Sequence, residues 1–505
     1  MSAGHMGLSP AYLAKGVCPY YALYMSNAYE KSGVANHDAA TTDAWGDFMS
    51  TGWAPSPLEG LKAEAVVPYA KARREKLSAL YPGIRLVIPS GTFKVRSNDC
   101  DYRFRPHSIF AWLSGINASD AVPDSVLILE PNGSGHDSYL FIHPRSPRDS
   151  EEFYRNRRHG EFWIGRRMTV EETWAKYQLE VRHIDTLKDF LSEAKDTYTI
   201  RGEDPEVDAL IEARKKKDEE LYVTLSNMRL IKDTYEVAEM QKAIDATNRG
   251  FADMVRVLPA ATANVRGERI VEAAFFGRAR LEGNDLGYDT IAASGSHACI
   301  LHWIKNDGDV LPGDLILIDA GIEMESFYTA DITRTLPVNG KFSEIQRKLY
   351  MLVYESQKAG FAAVKPGAKF SDINRACHKV LAEGLEALGV LPISAEESLK
   401  PEVGLHRRWT VHGVSHHLGM DVHDCDRARS EEMQARVLQP GMILTVEPGL
   451  YIHQDDLLFP EEYRGIGIRI EDDVIVTDTG CRVMSKALPS HPDEIEVWMS
   501  NLARG

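Results

Sequence analysis

The chain has 505 residues, which at roughly 100–200 residues per domain implies two or three domains. Apolar residues at 44% and charged residues at 26% are ordinary for a globular protein and argue against a disordered chain. The 58 Lys and Arg against 74 Asp and Glu give a net charge of −16, which argues against nucleic acid and anionic membranes as partners, because both select a basic surplus.

Six scattered cysteines (Cys18, Cys100, Cys299, Cys377, Cys425, Cys481) form no CxxC pair. The sequence therefore offers neither a disulfide framework nor a thiolate zinc site, and it fits a reducing cytoplasm. No run of 18 apolar residues appears, and the opening MSAGHMGLSPAYLAKG has no apolar core or small-residue cleavage pattern, so neither a membrane span nor a secretory signal is expected. Residues 1–60, with PYYALYMSNAYEKSG, read as an N-terminal extension lying on the body of the protein or in a subunit contact. Over 61–225, strand signals at 84–89 (IRLVIP), 125–130 (SVLILE) and 139–143 (YLFIH) surround a helical segment near Ile109–Leu113, which predicts an α/β domain. The charge-rich stretch within 201–224 reads as a solvated helix face or linker near a domain boundary. A long helix is predicted from Asp233 to about Leu258, with Val237, Met240, Ile244 and Phe251 on one face. Through 226–505 helices and strands alternate, and strands dominate the end.

Four segments of the C-terminal half place polar residues in strand-like settings. In LILIDAG, Asp319 follows four apolar residues, and a carboxylate at the end of a buried strand is costly unless paired or bound to a cation. Read singly, Asp319 also suits a strand end that caps a turn at Gly321. In YTADITRTLP, Asp331 has an apolar approach; read singly, it suits a solvent-facing strand position. VHGVSHHLGMDVHD carries His412, His416, His417 and His423 beside Asp421 and Asp424, with Gly413 and Gly419 permitting close backbone approach. Glu447 ends an apolar strand in ILTVEPGLY. Glu471 lies after Ile466, Ile468 and Ile470 in GIGIRIEDDVIV, where a plain salt bridge to Arg469 is the alternative.

Together Asp319, Asp331, His416, Glu447 and Glu471 make a set of four carboxylates and one imidazole, whose formal charge of −4 two divalent cations neutralise. Oxygen-rich donors with one nitrogen favour Mn²⁺, Co²⁺ or Zn²⁺. Bridging carboxylates hold two such ions about 3.5–4 Å apart, an arrangement suited to hydrolysis. No GxSxG motif competes, and Cys425 has no nucleophile context.

Through DAG, DITRT, HGVSHHLGMDVHD, TVEPGLY and GIRIEDD, the region from about 230 to 500 resembles the metallopeptidases of pita-bread fold, the family that includes methionine aminopeptidase, prolidase and aminopeptidase P. SNDCDYRFRPHSIFAWLSGIN (97–117) resembles the N-terminal domain shared by aminopeptidase P and prolidase, and YRGIGIRIEDD with EPGLYI is similar to the aminopeptidase P branch. The resemblance implies an α/β (α+β) chain, with a creatinase-like N-terminal α/β domain followed by a pita-bread catalytic domain. It implies two divalent metal ions per subunit, foremost Mn²⁺, with Asp319 on one metal, Asp331 and Glu471 bridging, and His416 and Glu447 completing the second. It also implies that Glu447 acts as a general acid–base, that His302 (in ILHW) and His412 line the site, and that His423 contacts the scissile carbonyl or shuttles protons. Arg469 is expected behind Glu471, orienting it.

The implied reaction is removal of the N-terminal residue from peptides with proline second, by a metal-bridging hydroxide. A prolidase restricted to Xaa-Pro dipeptides is the alternative, followed by a non-catalytic or repurposed amide or ester hydrolase of the same fold. Two-domain relatives pair, so a homodimer or homotetramer is expected. One departure stands out: the two aspartates are 331 − 319 = 12 positions apart, where the family pattern has eleven. The hairpin tip in IEMESFYT is expected to absorb the extra residue, with Asp331 rather than Glu323 or Glu325 as the ligand.

Overall fold

The computed structural model of the chain describes residues 42–98, 100–425 and 436–504. Most of the expected extension, residues 1–41, lies outside them. Helix α1 (Asp43–Met49) starts where the Thr42 side chain caps Trp45 N–H. The chain then runs along the N-terminal unit. Trp53 meets Phe153 edge-on at 5.2 Å, and Leu58 N–H donates to Glu172 (2.9 Å).

Helix α2 (Val67–Leu80) precedes β1 (Arg85–Pro89), α3 (Ser108–Ser114), β2 (Val126–Pro131), β3 (His136–Ile142), β4 (Glu180–His183) and β5 (Thr197–Thr199). The five strands form one sheet in the order β4-β3-β2-β1-β5, with β1–β5 and β3–β4 parallel. The period-two alternation of a strand sorts its residues onto two faces. Leu86, Ile88, Leu127, Leu129 and Leu140 join the core that contains α3. Val87, Val126, Ile128 and Phe141 pack on the other face with Leu187 and Val207. Both faces are covered, which is why these strands read as unbroken apolar runs.

The charge-rich stretch forms α4 (Lys215–Arg229), whose buried side includes Leu221, Leu225 and Arg229. Asp233 and Glu236 form a capping box at the start of α5 (Thr234–Thr262), a 29-residue helix that buries Met240, Ile244 and Phe251. Helix α6 (Gly267–Glu282) packs along it, followed by β6 (Ile291–Ser294), β7 (Leu315–Ala320) and β8 (Ile332–Pro337), which form a sheet in the order β8-β7-β6. Helices α7 (Glu344–Ala363) and α8 (Phe370–Ala387) lead to β9 (Ile443–Val446), β10 (Gly449–Ile452), β11 (Ile466–Arg469), β12 (Asp472–Val476) and β13 (Cys481–Val483), and α9 (Pro492–Leu502) ends the fold. Strands β9, β12 and β13 make a second sheet, and β10 pairs with β11. Among the described residues no helix is long and apolar enough to cross a membrane.

The β7–β8 hairpin sets the geometry of the two aspartates. Its register puts Asp319 opposite Thr333 and leaves Asp331 one residue before β8. The connection closes in a turn where Met324 N–H donates to Tyr328 O and the buried Phe327 takes φ +67°. A bulky residue in the left-handed region is strained, and this turn accommodates the twelve-residue spacing. Glu323 and Glu325 stay away from Asp319 and Asp331: Glu323 accepts from Arg105 Nε (2.6 Å) and Asn284 Nδ2 (2.8 Å), and Glu325 is exposed.

The hairpin arms are drawn together where side chains are missing. A Cβ on Gly321 would stand 1.8 Å from Ala330 O, and from outside the hairpin one on Gly287 would stand 1.9 Å from Thr329 Oγ1. Gly321→Ala is therefore expected to lower the melting temperature, by about 1–3 kcal/mol of stability. Gly277→Ala, in open space on α6, is expected to be neutral or stabilising by up to about 1 kcal/mol. Thermal melting of both variants checks the contrast; equal melting points contradict it.

Candidate metal centre

Five side chains converge from five places in the sequence. Asp319 projects from β7, and Asp331 precedes β8. Glu447 follows β9, and Glu471 lies between β11 and β12. His416 sits in a segment that runs alongside β9: Thr445 N–H donates to His416 O (3.0 Å), Glu447 N–H to Val414 O (2.9 Å) and Leu418 N–H to Ile443 O (3.1 Å). The two sheets are bolted together by Arg334, which is fully buried and donates to Thr333 O, Glu471 O, Leu488 O, Pro489 O and the Asp472 carboxylate.

The distances define one centre. His416 Nε2 lies 3.2 Å from Asp331 Oδ2, 3.6 Å from Glu447 Oε1 and 4.0 Å from Glu471 Oε1. Donor atoms of Asp331, His416 and Glu471 all fall within 4.8 Å of one another. Asp319 joins through Tyr288, whose hydroxyl lies 2.6 Å from Asp319 Oδ1 and 2.5 Å from Asp331 Oδ1. One phenolic proton serves only one of these two contacts, so the site calls for additional positive charge. Thr333 Oγ1 donates to Glu471 Oε2 (2.7 Å).

Arg469 takes a different place from the one the sequence implies. Its Nη2 donates to Asp319 Oδ2 (2.6 Å), its Nη1 to the Tyr451 hydroxyl (3.0 Å) and its Nε to Thr333 Oγ1 (3.2 Å). The guanidinium thus orients Asp319 directly, and its hydrogen-bonded path to Glu471 runs through Thr333. Gly413 likewise has open space around it, whereas a Cβ on Gly419 would stand 2.4 Å from Asp424 Oδ2.

The electrostatics follow from crowding. Burial, and then the neighbouring carboxylates, push Glu471 well above the usual carboxylate range. Asp331 is raised by burial and by Asp319. Burial raises Glu447 to about 7. His416 goes to about 9: burial opposes its charge, but the hydrogen bond to Asp331 and the Glu447 carboxylate outweigh it. Hard oxygen donors with one imidazole, short of cations, are the donor set a divalent cation takes.

Three histidines surround the centre. The ring of His423 stands edge-on to His416 with centroids 4.4 Å apart. His412 Nε2 meets the Tyr451 hydroxyl (2.7 Å), and Nδ1 lies 3.6 Å from Glu447 Oε2. Burial and the Arg469 charge hold His412 down at about 4. His302 is exposed and close enough to His412 to act on it electrostatically. The segment bearing His302 is gathered by Glu268, a fully buried carboxylate on α6. It accepts from Ser294 N–H (2.8 Å), Trp303 Nε1 (2.8 Å) and Gly308 N–H (2.7 Å), and meets His297 Nδ1 at 2.9 Å. No pattern in the sequence marks Tyr288, Tyr451, Thr333 or Glu268, whose residue types are ordinary where they stand.

Residues 238–478 match metallopeptidase family M24, and residues 69–200 match the aminopeptidase P N-terminal domain. Xaa-Pro aminopeptidase 1 of Streptomyces coelicolor is 48% identical over 464 residues, covering 91% of this chain and 93% of that protein. The Xaa-Pro aminopeptidase of Escherichia coli is 32% identical over 456 residues, covering 85% and 97%. Among solved structures, the aminopeptidase PepP of Pseudomonas aeruginosa superimposes with a TM-score of 0.76 at 31% identity, covering 88% of this chain and all of that one. Zinc-substituted E. coli aminopeptidase P in complex with product gives 0.77 at 31% identity, covering 87% and 99%.

Cation uptake at this centre must expel the protons that crowding retains. The cation-free protein keeps a proton on Glu447 up to about pH 7 and on His416 up to about pH 9, and both must leave before their lone pairs can coordinate. Calorimetric titration with Mn²⁺ in two buffers of different ionisation enthalpy is expected to show net proton release, with affinity rising steeply up to about pH 7 and more gently to about pH 9. Proton-neutral, pH-independent binding contradicts this.

Proposed function

The chain belongs to metallopeptidase family M24, and from that premise we propose that it is a dinuclear-metal aminopeptidase that hydrolyses the bond between an N-terminal residue and a following proline. The family implies divalent metal ions; Mn²⁺ is the ion proposed here, with Co²⁺ or Zn²⁺ as substitutes. The observation that carries the reading is the convergence of Asp319, Asp331, His416, Glu447 and Glu471 on one buried centre. The named Xaa-Pro aminopeptidase relatives, matched over most of both chains, favour the aminopeptidase over the prolidase alternative. We set the N-terminal domain at 61–225 and the catalytic domain at 226–505, bounds that contain both family matches.

Asp319, Asp331, His416, Glu447 and Glu471 would hold the ions, which when bound supply Lewis acidity and a water of lowered pKa. The remaining work falls to the protein's own groups. Arg469 and Tyr288 fix the Asp319 carboxylate, and Thr333 fixes that of Glu471. Glu447 reaches from His416 to His412, where it takes a proton from the attacking water and passes it to the departing nitrogen. His423 and His302 face the carbonyl oxygen as negative charge builds on it, while His412 lines the site with its ring nitrogens on the Tyr451 hydroxyl and Gly413 O. A bond before proline is a tertiary amide without N–H, so a site that grips an extended backbone through that N–H loses its hold. Exposed Ile300 and Ile304, flanking His302 on one segment, offer apolar surface for the proline ring.

The test is a manganese-supplemented assay on Xaa-Pro dipeptides, Xaa-Pro-Yaa-Zaa peptides and matched peptides with alanine second. Release of the N-terminal residue from the longer proline peptides and not from the alanine series is expected. Cleavage confined to dipeptides gives the prolidase alternative, and cleavage indifferent to proline overturns the specificity. Asp319→Ala, His416→Ala and Glu447→Ala are each expected to lower kcat by on the order of 10³-fold or more, with melting retained. Wild-type turnover in any of them overturns the assignment.

A further inference from the structure

The loop that carries His423 is tied at both ends to charges from outside it. Asp424 N–H donates to His417 O (2.9 Å) and closes residues 417–424 into a tight loop. The loop passes under Gly419, where a Cβ would strike Asp424 Oδ2 and Lys232 Nζ. After His423, the buried Asp424 receives Arg229 Nη2 (2.5 Å) and Lys232 Nζ (2.7 Å). Before His423, the loop is held from the N-terminal unit. Arg105 Nη2 donates to Met420 O (2.6 Å), and Ser108 Oγ donates to Asp421 Oδ1 (2.5 Å). The other guanidinium nitrogens of Arg105 go to Glu323 Oε2 (2.6 Å) and Ser108 Oγ (3.0 Å), and its face covers the ring of the strained Phe327 at 5.4 Å.

Three cations (Arg105, Arg229, Lys232) and three carboxylates (Glu323, Asp421, Asp424) make a neutral seam between the two units. Arg229, Lys232, Asp424 and Glu323 are buried, whereas Arg105 and Asp421 lie at the solvent edge of the seam; charges balanced in this way are tolerated, and such a network specifies geometry more than it adds stability. Resting on the hydrolytic reading of the centre, we propose that Arg105, with Ser108, is a positioning residue: the N-terminal domain uses it to set the loop that holds His423 against His416. Arg105 touches no ligand of the centre; it grips Met420 and, through Ser108, Asp421, three and two residues ahead of His423. Only a planar guanidinium meets Glu323, Ser108 and a carbonyl at once, so lysine, with the same charge, cannot replace it.

The experiment is a double-mutant cycle on the full-length, manganese-loaded enzyme, paired with hydrogen exchange on the cation-free protein. Arg105→Lys and Ser108→Ala are each expected to lower kcat about tenfold with KM little changed. In the His423→Ala background the same changes are expected to cost less than about twofold, because the residue they place is gone. Arg103→Ala, which breaks the exposed contact to Asp285 across the same seam, is expected to leave kcat unchanged. Exchange of amides within 417–425 is expected to quicken about tenfold in Arg105→Lys. Equal losses in both backgrounds, a matching loss in Arg103→Ala, or unchanged exchange overturns the proposal. An enzyme inactive on proline peptides overturns the functional reading instead, and the exchange result then decides the loop restraint by itself.

Discussion

Asp319, Asp331, Glu447 and Glu471 crowd together with two positive groups in contact with them, the Arg469 guanidinium on Asp319 and the His416 imidazole on Asp331. Like charges at such separations repel, and burial strengthens the repulsion. The surrounding fold holds the carboxylates where they would not stay by themselves. Backbone ladders do most of this: Asp319 is locked in the β7–β8 register, Glu447 N–H is bonded to Val414 O, and Glu471 N–H is bonded to Thr333 O. Arg334 then ties the two sheets through five acceptor groups, so the carboxylates on either side cannot part. The free energy that keeps the pocket closed comes from apolar packing elsewhere, and a divalent cation repays it on binding.

The same repulsion explains why the centre was legible in the sequence. Asp319, Glu447 and Glu471 interrupt apolar strand patterns, and a charge in such a place is a visible violation that a function must account for. The strands of the N-terminal sheet were legible for the opposite reason, since runs such as SVLILE obey the pattern of a two-faced sheet. Tyr288 escaped notice because a tyrosine ahead of a strand violates nothing, and its bond to Asp319 spans 31 residues of sequence. Glu268 escaped because an acid in the first turn of a helix suits the helix dipole, whatever it binds. Sequence proximity points Arg469 to Glu471, while its shortest side-chain contact is with Asp319, 150 positions away. Pattern reading finds local violations; partners across a sheet boundary leave no local mark.

A division of labour follows for the parts that hold the centre. The carboxylates stand on or beside strands, where ladder hydrogen bonds fix the backbone to within the tolerance that coordination needs. The histidines His302 and His423 stand on loops, which have no ladder. Each loop is held instead by a charged hub outside the centre built on a buried carboxylate: Glu268 gathers Ser294, His297, Trp303 and Gly308 around His302, and Asp424, with the half-exposed Asp421, anchors the residues around His423. An ionic hub is directional and, once desolvated, costly to break, so it gives a loop the precision that a strand obtains from its neighbours. Apolar packing alone would not serve, because an exposed histidine has no apolar surface to be packed by. Since one hub draws Arg105 and Ser108 from the N-terminal sheet's unit, the two units of the chain form a single catalytic frame rather than a catalytic body with an appended domain.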